Sequence, residues 1–232
     1  MTSGLGAALA IAKKDILTQF RKKFEMFSMF LFALIAVLAF SFAVVTGGIV
    51  PQEVGSALLW VIIFFTGMFG FAPIFLSEAE TGTLRGLATA PIPAWSVYLG
   101  KVVYGFLLMG LVEIFLVPII SVLFGFSIFN DLPLMMATIL IGTLDLAAVG
   151  SMASALTMPS ESKSTIFPLV YFPTAISGLM LLIELTKIAV LGTGALVLGM
   201  GLTVLFIFEI LLAHLIAMLT LSASVFHFAL SP

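Results

Sequence analysis

Residues 97–124 read VYLGKVVYGFLLMGLVEIFLVPIISVLF, an apolar run with one lysine near its start and one glutamate. A helix needs about 20 consecutive apolar residues to cross the hydrocarbon core of a bilayer, so this run predicts a membrane-spanning helix. The whole chain agrees, because 62% of its 232 residues are hydrophobic and only 9% are charged. A soluble domain is about a quarter charged. We therefore expect an all-α integral membrane protein, and the net charge of −2 argues against nucleic acid as a partner.

Outward from this run, other apolar stretches of similar length predict six transmembrane helices in a single domain, 1–232. The predicted spans are 26–47, 56–76, 97–124, 134–157, 165–184 and 202–226. The last apolar stretch, 189–226, would be ~57 Å long as one helix at 1.5 Å per residue, which exceeds the bilayer. Its glycines favour a break, so we expect a re-entrant segment at 186–200 before the last span.

The segment 5–23, ahead of the first span, is basic and amphipathic. The apolar residues that can line one side of it as a helix are Leu5, Leu9, Ile16, Leu17 and Phe20. Such a segment is typical of an interfacial helix lying in the membrane surface, and the alternative is an ordinary basic flank. Every lysine and arginine except Lys187 falls on one face of the predicted topology. The positive-inside rule then predicts a multi-pass protein of the cell membrane with both termini in the cytoplasm.

The loop at 77–96 joins the second and third predicted spans and is markedly polar at its start. Ser77 and Glu80 have the spacing of a capping box, which indicates the start of a short helix. Leu84 and Leu87 share one face of that helix, and Pro91 ends it. This cytoplasmic helix could dock on a soluble partner through its apolar stripe, or it could pack only against headgroups and neighbouring spans.

Several short motifs resemble the CcmB family within the wider ABC-2 type permeases. They are Glu80-Thr-Gly-Thr-Leu84, Leu87, Ala90-Pro91, Tyr98-Leu-Gly-Lys101, Val112-Glu113 with Pro118, Gly142-Thr143, Ala148-Val-Gly150, Phe167-Pro-Leu169 and Phe172-Pro173. CcmB is the membrane permease subunit of the ABC complex associated with haem export in cytochrome c maturation. The resemblance covers roughly residues 10–225.

The resemblance implies a separate ATPase subunit, CcmA, that grips the loop 77–96 and binds ATP and Mg²⁺. It further implies CcmC and CcmD as membrane neighbours, the haem chaperone CcmE as the acceptor, and haem as cargo. The small residues of span four leave a homodimer open as well. The residues expected to couple this chain to the ATPase are Glu78, Glu80, Gly82, Thr83, Leu84, Leu87 and Pro91.

The sequence contains no Gly-x4-Gly-Lys-Ser/Thr pattern, which is the loop that cradles nucleotide phosphates. We therefore expect a permease subunit that is not itself an enzyme. Two alternatives to haem export stay open. One is an ABC-2 exporter of a lipid, a drug or a polysaccharide precursor. The other is a membrane scaffold that transmits ATPase cycling to release a haem chaperone, with nothing crossing through this chain.

Four polar side chains fall within the predicted spans: Glu113, Asp145, Glu209 and His214. Ionisable residues at membrane depth are costly and often functional. We expect Glu113 and Asp145 to face the bundle interior or a subunit interface. The alternative is that each is a protonated acid bonded to a neighbouring hydroxyl or backbone group. His214 is the one basic side chain at mid-depth that could pair with an acid. Haem ligation by His214 or His227 is disfavoured because nothing in the sequence fixes a second axial ligand, and no metal site or bound cofactor is predicted.

Overall fold

The computed structural model describes residues 4–44, 50–75, 78, 82–83, 86, 91–125, 127–158, 163–192 and 198–230. In this part of the chain the regular structure is helical, and six helices are long and apolar enough to cross a membrane. The prediction of an all-α integral membrane protein is confirmed. The helices are α1 (Gly4–Arg21), α2 (Lys23–Val44), α3 (Gln52–Phe71), α4 (Ala94–Phe124), α5 (Leu132–Thr157), α6 (Lys163–Leu191) and α7 (Leu198–Leu230).

The fifth span is longer than the sequence predicts. Helix α6 continues past residue 184 to Leu191, and α7 already begins at Leu198. Residues 186–191 and 198–200 of the expected re-entrant segment therefore belong to these two helices, and residues 193–197 lie outside the described residues. Packing explains the difference, because Leu185, Ile188 and Val190 are buried and keep the chain helical. The helix stops where Gly192 takes a φ of 60°, a left-handed conformation that suits glycine at a helix end.

The connection between α4 and α5 has clear local signals at both ends. Gly125 ends α4 in the left-handed region with a φ of 70°. Asp131 starts α5, since its side chain accepts a hydrogen bond from the backbone N–H of Leu134 at 3.1 Å. A carboxylate in this position satisfies one of the amides that a helix start leaves unpaired. This tight turn holds α4 and α5 side by side, which matters for the polar contacts between them.

Helices α3 and α5 are the most buried of the spans, and α2 and α7 the least. Close approach within the interior depends on glycines. A Cβ added at Gly150 would lie 2.4 Å from the ring of Phe71, and one added at Gly142 would lie 2.2 Å from the ring of Trp60. Small residues at such positions let transmembrane helices pack backbone to side chain. Helix α5 therefore packs closely against four other spans, α3, α4, α6 and α7.

Helix α1 packs along the first half of α4 through its small and polar side. That side consists of Ala7, Ala8, Ala12, Asp15 and Gln19. The larger apolar residues Leu5, Leu9, Leu17 and Phe20 face away from the bundle. Gly100 permits the close contact, because a Cβ there would lie 2.7 Å from the carbonyl oxygen of Ala8. The outward apolar side is compatible with a helix in the membrane surface, and that location stays a prediction.

Candidate functional site

A cluster of four charged side chains lies where α1, α4 and the start of the loop 77–96 meet. At its centre is Lys101, which is only 2% exposed. Its ammonium group forms an ion pair with the carboxylate of Glu78 and a second one with Asp15 Oδ2 at 3.0 Å. It also donates a hydrogen bond to the carbonyl oxygen of Ile74 at 3.0 Å. A buried ammonium needs such partners, because burying an unpaired charge is very costly.

Lys14 of α1 closes this cluster from the outer side. Its Nζ lies 2.9 Å from Glu78 Oε1 and 2.9 Å from Asp15 Oδ1. Partial burial lowers the pKa of Lys14. The hydrogen bonds to Glu78 and Asp15 raise it by more than burial lowers it, so the pKa of Lys14 lies above its ordinary value. Two ammonium groups and two carboxylates make the cluster neutral overall. We refer to Lys14, Asp15, Glu78 and Lys101 as the charge cluster.

The charge cluster changes the expected role of Glu78. From the sequence, Glu78 was one of the residues predicted to meet an ATPase. The structure instead places its side chain inside the protein, 4% exposed, against Lys101. The buried pair makes Glu78 an anchor that fixes the start of the loop to α1 and α4.

Of the other predicted coupling residues, Gly82, Thr83 and Pro91 are exposed. Gly82 has a φ of 70° and forms a turn with Thr83. The remaining three, Glu80, Leu84 and Leu87, lie outside the described residues. The coupling role of this loop therefore stays a prediction that rests on its sequence.

Three members of the charge cluster, Lys14, Asp15 and Lys101, had no predicted functional role. Lys101 belongs to the motif 98–101 and to the basic residues of the predicted cytoplasmic face, and Asp15 lies in the predicted interfacial helix 5–23. A signal was available, since Lys101 stands within an apolar run and such a lysine needs a buried acid. The sequence does not say which acid supplies it, because Asp15 and Glu78 are 63 residues apart along the chain.

Two of the predicted intramembrane acids have hydrogen-bond partners on neighbouring helices. Glu113 of α4 is 3% exposed, and its Oε2 accepts a hydrogen bond from the hydroxyl of Thr143 on α5. Asp145 of α5 is fully buried, and its Oδ1 lies 2.9 Å from Nδ1 of His214 on α7. The expectation that His214 could pair with an intramembrane acid is confirmed in this geometry.

The contact between Asp145 and His214 extends to a third helix. His214 Nε2 lies 3.0 Å from the hydroxyl oxygen of Ser177 on α6. Gly178 makes room beside it, because a Cβ at that position would lie 2.3 Å from Asp145 Oδ2. Asp145, Ser177 and His214 thus connect α5, α6 and α7 near the midpoints of these spans. We call these three residues the polar triad.

Glu209 differs from the other intramembrane acids. It lies on the exposed side of α7. In the part of the chain that the structure describes, it forms neither a hydrogen bond nor an ion pair. His227 lies on the same helix, but its side chain is outside the described residues. Within those residues no group of three or more potential metal ligands occurs.

Six predominantly apolar spans joined by buried polar contacts define a polytopic membrane protein. The sequence profile described as CcmB protein matches residues 6–231. Since this match covers nearly the whole chain, the protein belongs to the CcmB family.

Three curated relatives share the same name, heme exporter protein B. The one from Pseudomonas aeruginosa is 25% identical over 162 residues, which is 70% of this chain and 72% of the relative. The relative from Rhodobacter capsulatus is 30% identical over 151 residues, which is 63% of this chain and 69% of the relative. The relative from Haemophilus influenzae is 26% identical over 172 residues, which is 74% of this chain and 77% of the relative. The resemblance expected from the short motifs is therefore confirmed over most of the chain.

Proposed function

We propose that this chain is the membrane subunit of an ABC-type haem export complex and couples ATP hydrolysis by a separate ATPase to haem handling in cytochrome c maturation. Membership of the CcmB family supports this assignment, as do three relatives named heme exporter protein B. In this proposal ATP and Mg²⁺ bind to the ATPase, and haem is cargo and not a resident cofactor. The complex lies in the cytoplasmic membrane, with both termini of this chain on the cytoplasmic side.

The charge cluster is the observation that carries the coupling part of the proposal. A loop that receives force from a soluble ATPase must be attached to the spans, or it would move without moving them. Glu78 supplies this attachment, since its buried carboxylate contacts Lys101 of α4 and Lys14 of α1. A displacement of the loop is then passed to α4, which passes it to α5 through Glu113 and Thr143.

The loop itself would meet the ATPase through its apolar stripe. Leu84 and Leu87 stand at i and i+3, a spacing that places both on one face of a helix. An aspartate in this stripe opposes docking into an apolar groove because its carboxylate must lose water. We expect Leu84→Asp and Leu87→Asp to detach the ATPase and to leave the spans inserted.

The experiment reconstitutes the chain with its ATPase in liposomes and measures ATPase binding and ATP hydrolysis with and without haem. A matched control is Phe129→Asp, because Phe129 is exposed in the turn between α4 and α5, on the opposite side from the loop in the proposed topology. The proposal predicts loss of binding in the loop variants alone and stimulation of hydrolysis by haem. Undiminished binding in both loop variants would refute the coupling role. Binding without haem stimulation would favour a scaffold over a transporter.

A further inference from the structure

A groove runs along α4 on the side that faces the end of α1 and the first half of α2. It consists of two neighbouring cavities, one of about 200 Å³ where the three helices meet and one of about 430 Å³ between α2 and α4. Both are lined by a single side of α4, on which the residues follow one another in steps of three and four. These residues are Tyr104, Leu108, Leu111, Phe115 and Ile119. We call the two cavities together the α4 groove.

The α4 groove has the length of one bilayer leaflet. From Tyr104 to Ile119 the helix rises by about 22 Å at 1.5 Å per residue. A bilayer with its headgroups is about 40–45 Å thick, and one leaflet measures half of this. Met26, which lines the groove together with Tyr104, is close to the start of α2, so the groove begins at the membrane surface. A transmembrane helix of another chain would need contact across the whole hydrocarbon core of about 30 Å, which the groove does not provide.

The groove is open to lipid and apolar along most of its length. Phe27 and Phe115 border it and are 62% and 56% exposed. Among the described residues that line it, the polar side chains are Gln19 and Tyr104, both at the end where α1 meets α4. We call this end the mouth of the groove. No histidine lines the groove within the described ranges, so haem iron would not find its usual ligand there, whereas an acyl chain requires only an apolar surface.

Two basic residues stand at the mouth. Arg21 ends α1 and Lys23 begins α2, so both lie between Phe20 and Met26, which line the groove from the two helices. Arg21 and Lys23 are exposed, and neither forms an ion pair with another residue in the described part of the chain. Their charges are therefore available to a group outside the protein.

The carboxylates near the mouth are already paired. Glu25 lies 3.1 Å from Lys22, and Asp15 contacts Lys14 and Lys101 within the neutral charge cluster. The excess charge at the mouth is therefore positive. Basic residues next to a span attract anionic lipid headgroups by about fivefold for each residue.

We propose that the α4 groove binds an anionic phospholipid, with one acyl chain along α4 and the headgroup phosphate beside Arg21 and Lys23. A groove that is apolar, one leaflet long and basic at its mouth is complementary to such a lipid at both ends. In the proposed orientation the lipid belongs to the cytoplasmic leaflet and ties the junction of α1 and α2 to it.

This lipid site goes beyond the proposed function and does not involve the loop 77–96. The variants Leu84→Asp and Leu87→Asp, which should release the ATPase, should leave the bound lipid in place. A failure of the ATPase proposal and a failure of this inference can therefore be distinguished.

The test uses the full chain in native membranes supplied with phosphatidylglycerol, which is anionic, or with phosphatidylcholine, which is zwitterionic. Both probes have the same acyl chains and carry a photoreactive diazirine in the middle of one of them. Mass spectrometry of the crosslinked peptides locates the contact. We expect phosphatidylglycerol to crosslink to residues 26–34 of α2 and 104–119 of α4, with a yield about 25 times that of phosphatidylcholine, as two basic residues at about fivefold each imply.

Substitutions at the mouth test the headgroup contact. Arg21→Gln and Lys23→Gln should each reduce the yield of phosphatidylglycerol about fivefold and leave that of phosphatidylcholine unchanged. The matched control is Lys13→Gln, because Lys13 is exposed on α1 about two turns ahead of the mouth. An equal loss in Lys13→Gln would mean that the basic surface attracts lipid without a defined site, which would overturn the proposal.

A substitution inside the groove tests the acyl-chain contact. Leu111→Trp places a larger side chain where the two cavities meet and should suppress the crosslinks to α4 beyond it. Ile114→Trp is the control, since Ile114 is 68% exposed and lines neither cavity. Equal yields of the two lipids or an unchanged yield in Leu111→Trp would contradict the proposal. Displacement of the lipid by added haem would assign the groove to haem, and a lack of lipid crosslinks there would mean that protein covers it; the proposal fails in both cases.

Discussion

The ammonium group of Lys101 and the carboxylate of Glu78 form a buried ion pair that joins α4 to the loop preceding it. Lys101 is also held by Asp15 of α1, by the carbonyl oxygen of Ile74 and by the ring of Phe75, whose centroid lies 5.3 Å from its Nζ. A single side chain therefore links α1, the end of the second span, the loop and the third span. Such a position suits a residue that transmits movement between these elements.

Lys101→Met should destabilise the protein strongly. The substitution leaves the carboxylates of Glu78 and Asp15 buried without their main cation, and removing one partner of a buried ion pair costs about 3–5 kcal/mol. Unfolding of the purified protein in detergent measures the effect. Lys13→Met is the control, since Lys13 is exposed and has no place in the cluster. Equal stability of the two variants would mean that Lys101 is not held as described.

Asp145 and His214 should behave as a coupled pair. Asp145→Asn and His214→Gln each disturb the contact between α5 and α7, while the double variant loses that contact only once. We expect a coupling energy of about 0.5–3 kcal/mol in a double-mutant cycle of unfolding, the range for residues in one hydrogen-bond network. Strictly additive effects would show that the two side chains do not interact.

Gly150→Ala should disturb the packing of α3 against α5. The added Cβ would lie 2.4 Å from the ring and 2.7 Å from the Cβ of Phe71, so α3 itself must shift. Overpacking of this kind typically costs about 1–3 kcal/mol. Gly110→Ala is a matched control, because no heavy atom lies within 4 Å of a Cβ there. The account of close packing between α3 and α5 fails if both variants unfold at the same temperature.

Thr143→Val should weaken the contact between α4 and α5. It removes the hydroxyl that donates to Glu113 and leaves a buried acid without this partner, at a cost of about 1–3 kcal/mol. In Thr138→Val, the control, the lost hydroxyl bonds only to the carbonyl oxygen of Leu134 in its own helix. Thermal unfolding of both variants decides the point, and a larger effect at Thr138 would contradict it.

The sequence was sufficient to predict the membrane class and the approximate positions of the spans. Long apolar runs predict helices because a bilayer leaves backbone groups no other partners. The end of the fifth span was wrong, since glycines after Leu191 drew the predicted break towards residue 184. What kept 185–191 helical was packing against the rest of the bundle, which a single sequence does not display.

The site could be predicted only in part, for a similar reason. Asp145 and His214 stood out as polar residues within apolar runs, and His214 was the one basic side chain at mid-depth that could pair with an acid. The sequence did not say which of the three acids it would meet. The cluster around Lys101 depends on α1 lying against α4, which Gly100 and Ala8 permit through a contact of backbone and small side chains. No local pattern marks that contact. The docking stripe at Leu84 and Leu87 still rests on the sequence alone.

The measurement that tests the central claim most directly is quantitative co-purification of the tagged chain from native membranes in mild detergent, followed by mass spectrometry. The account predicts that an ABC ATPase is recovered with the wild-type chain, together with membrane proteins similar to CcmC or CcmE. It also predicts that Leu84→Asp removes the ATPase from the sample while the chain remains in the membrane. Recovery of the chain without any ATPase would contradict the proposal that this protein couples ATP hydrolysis to events in the membrane.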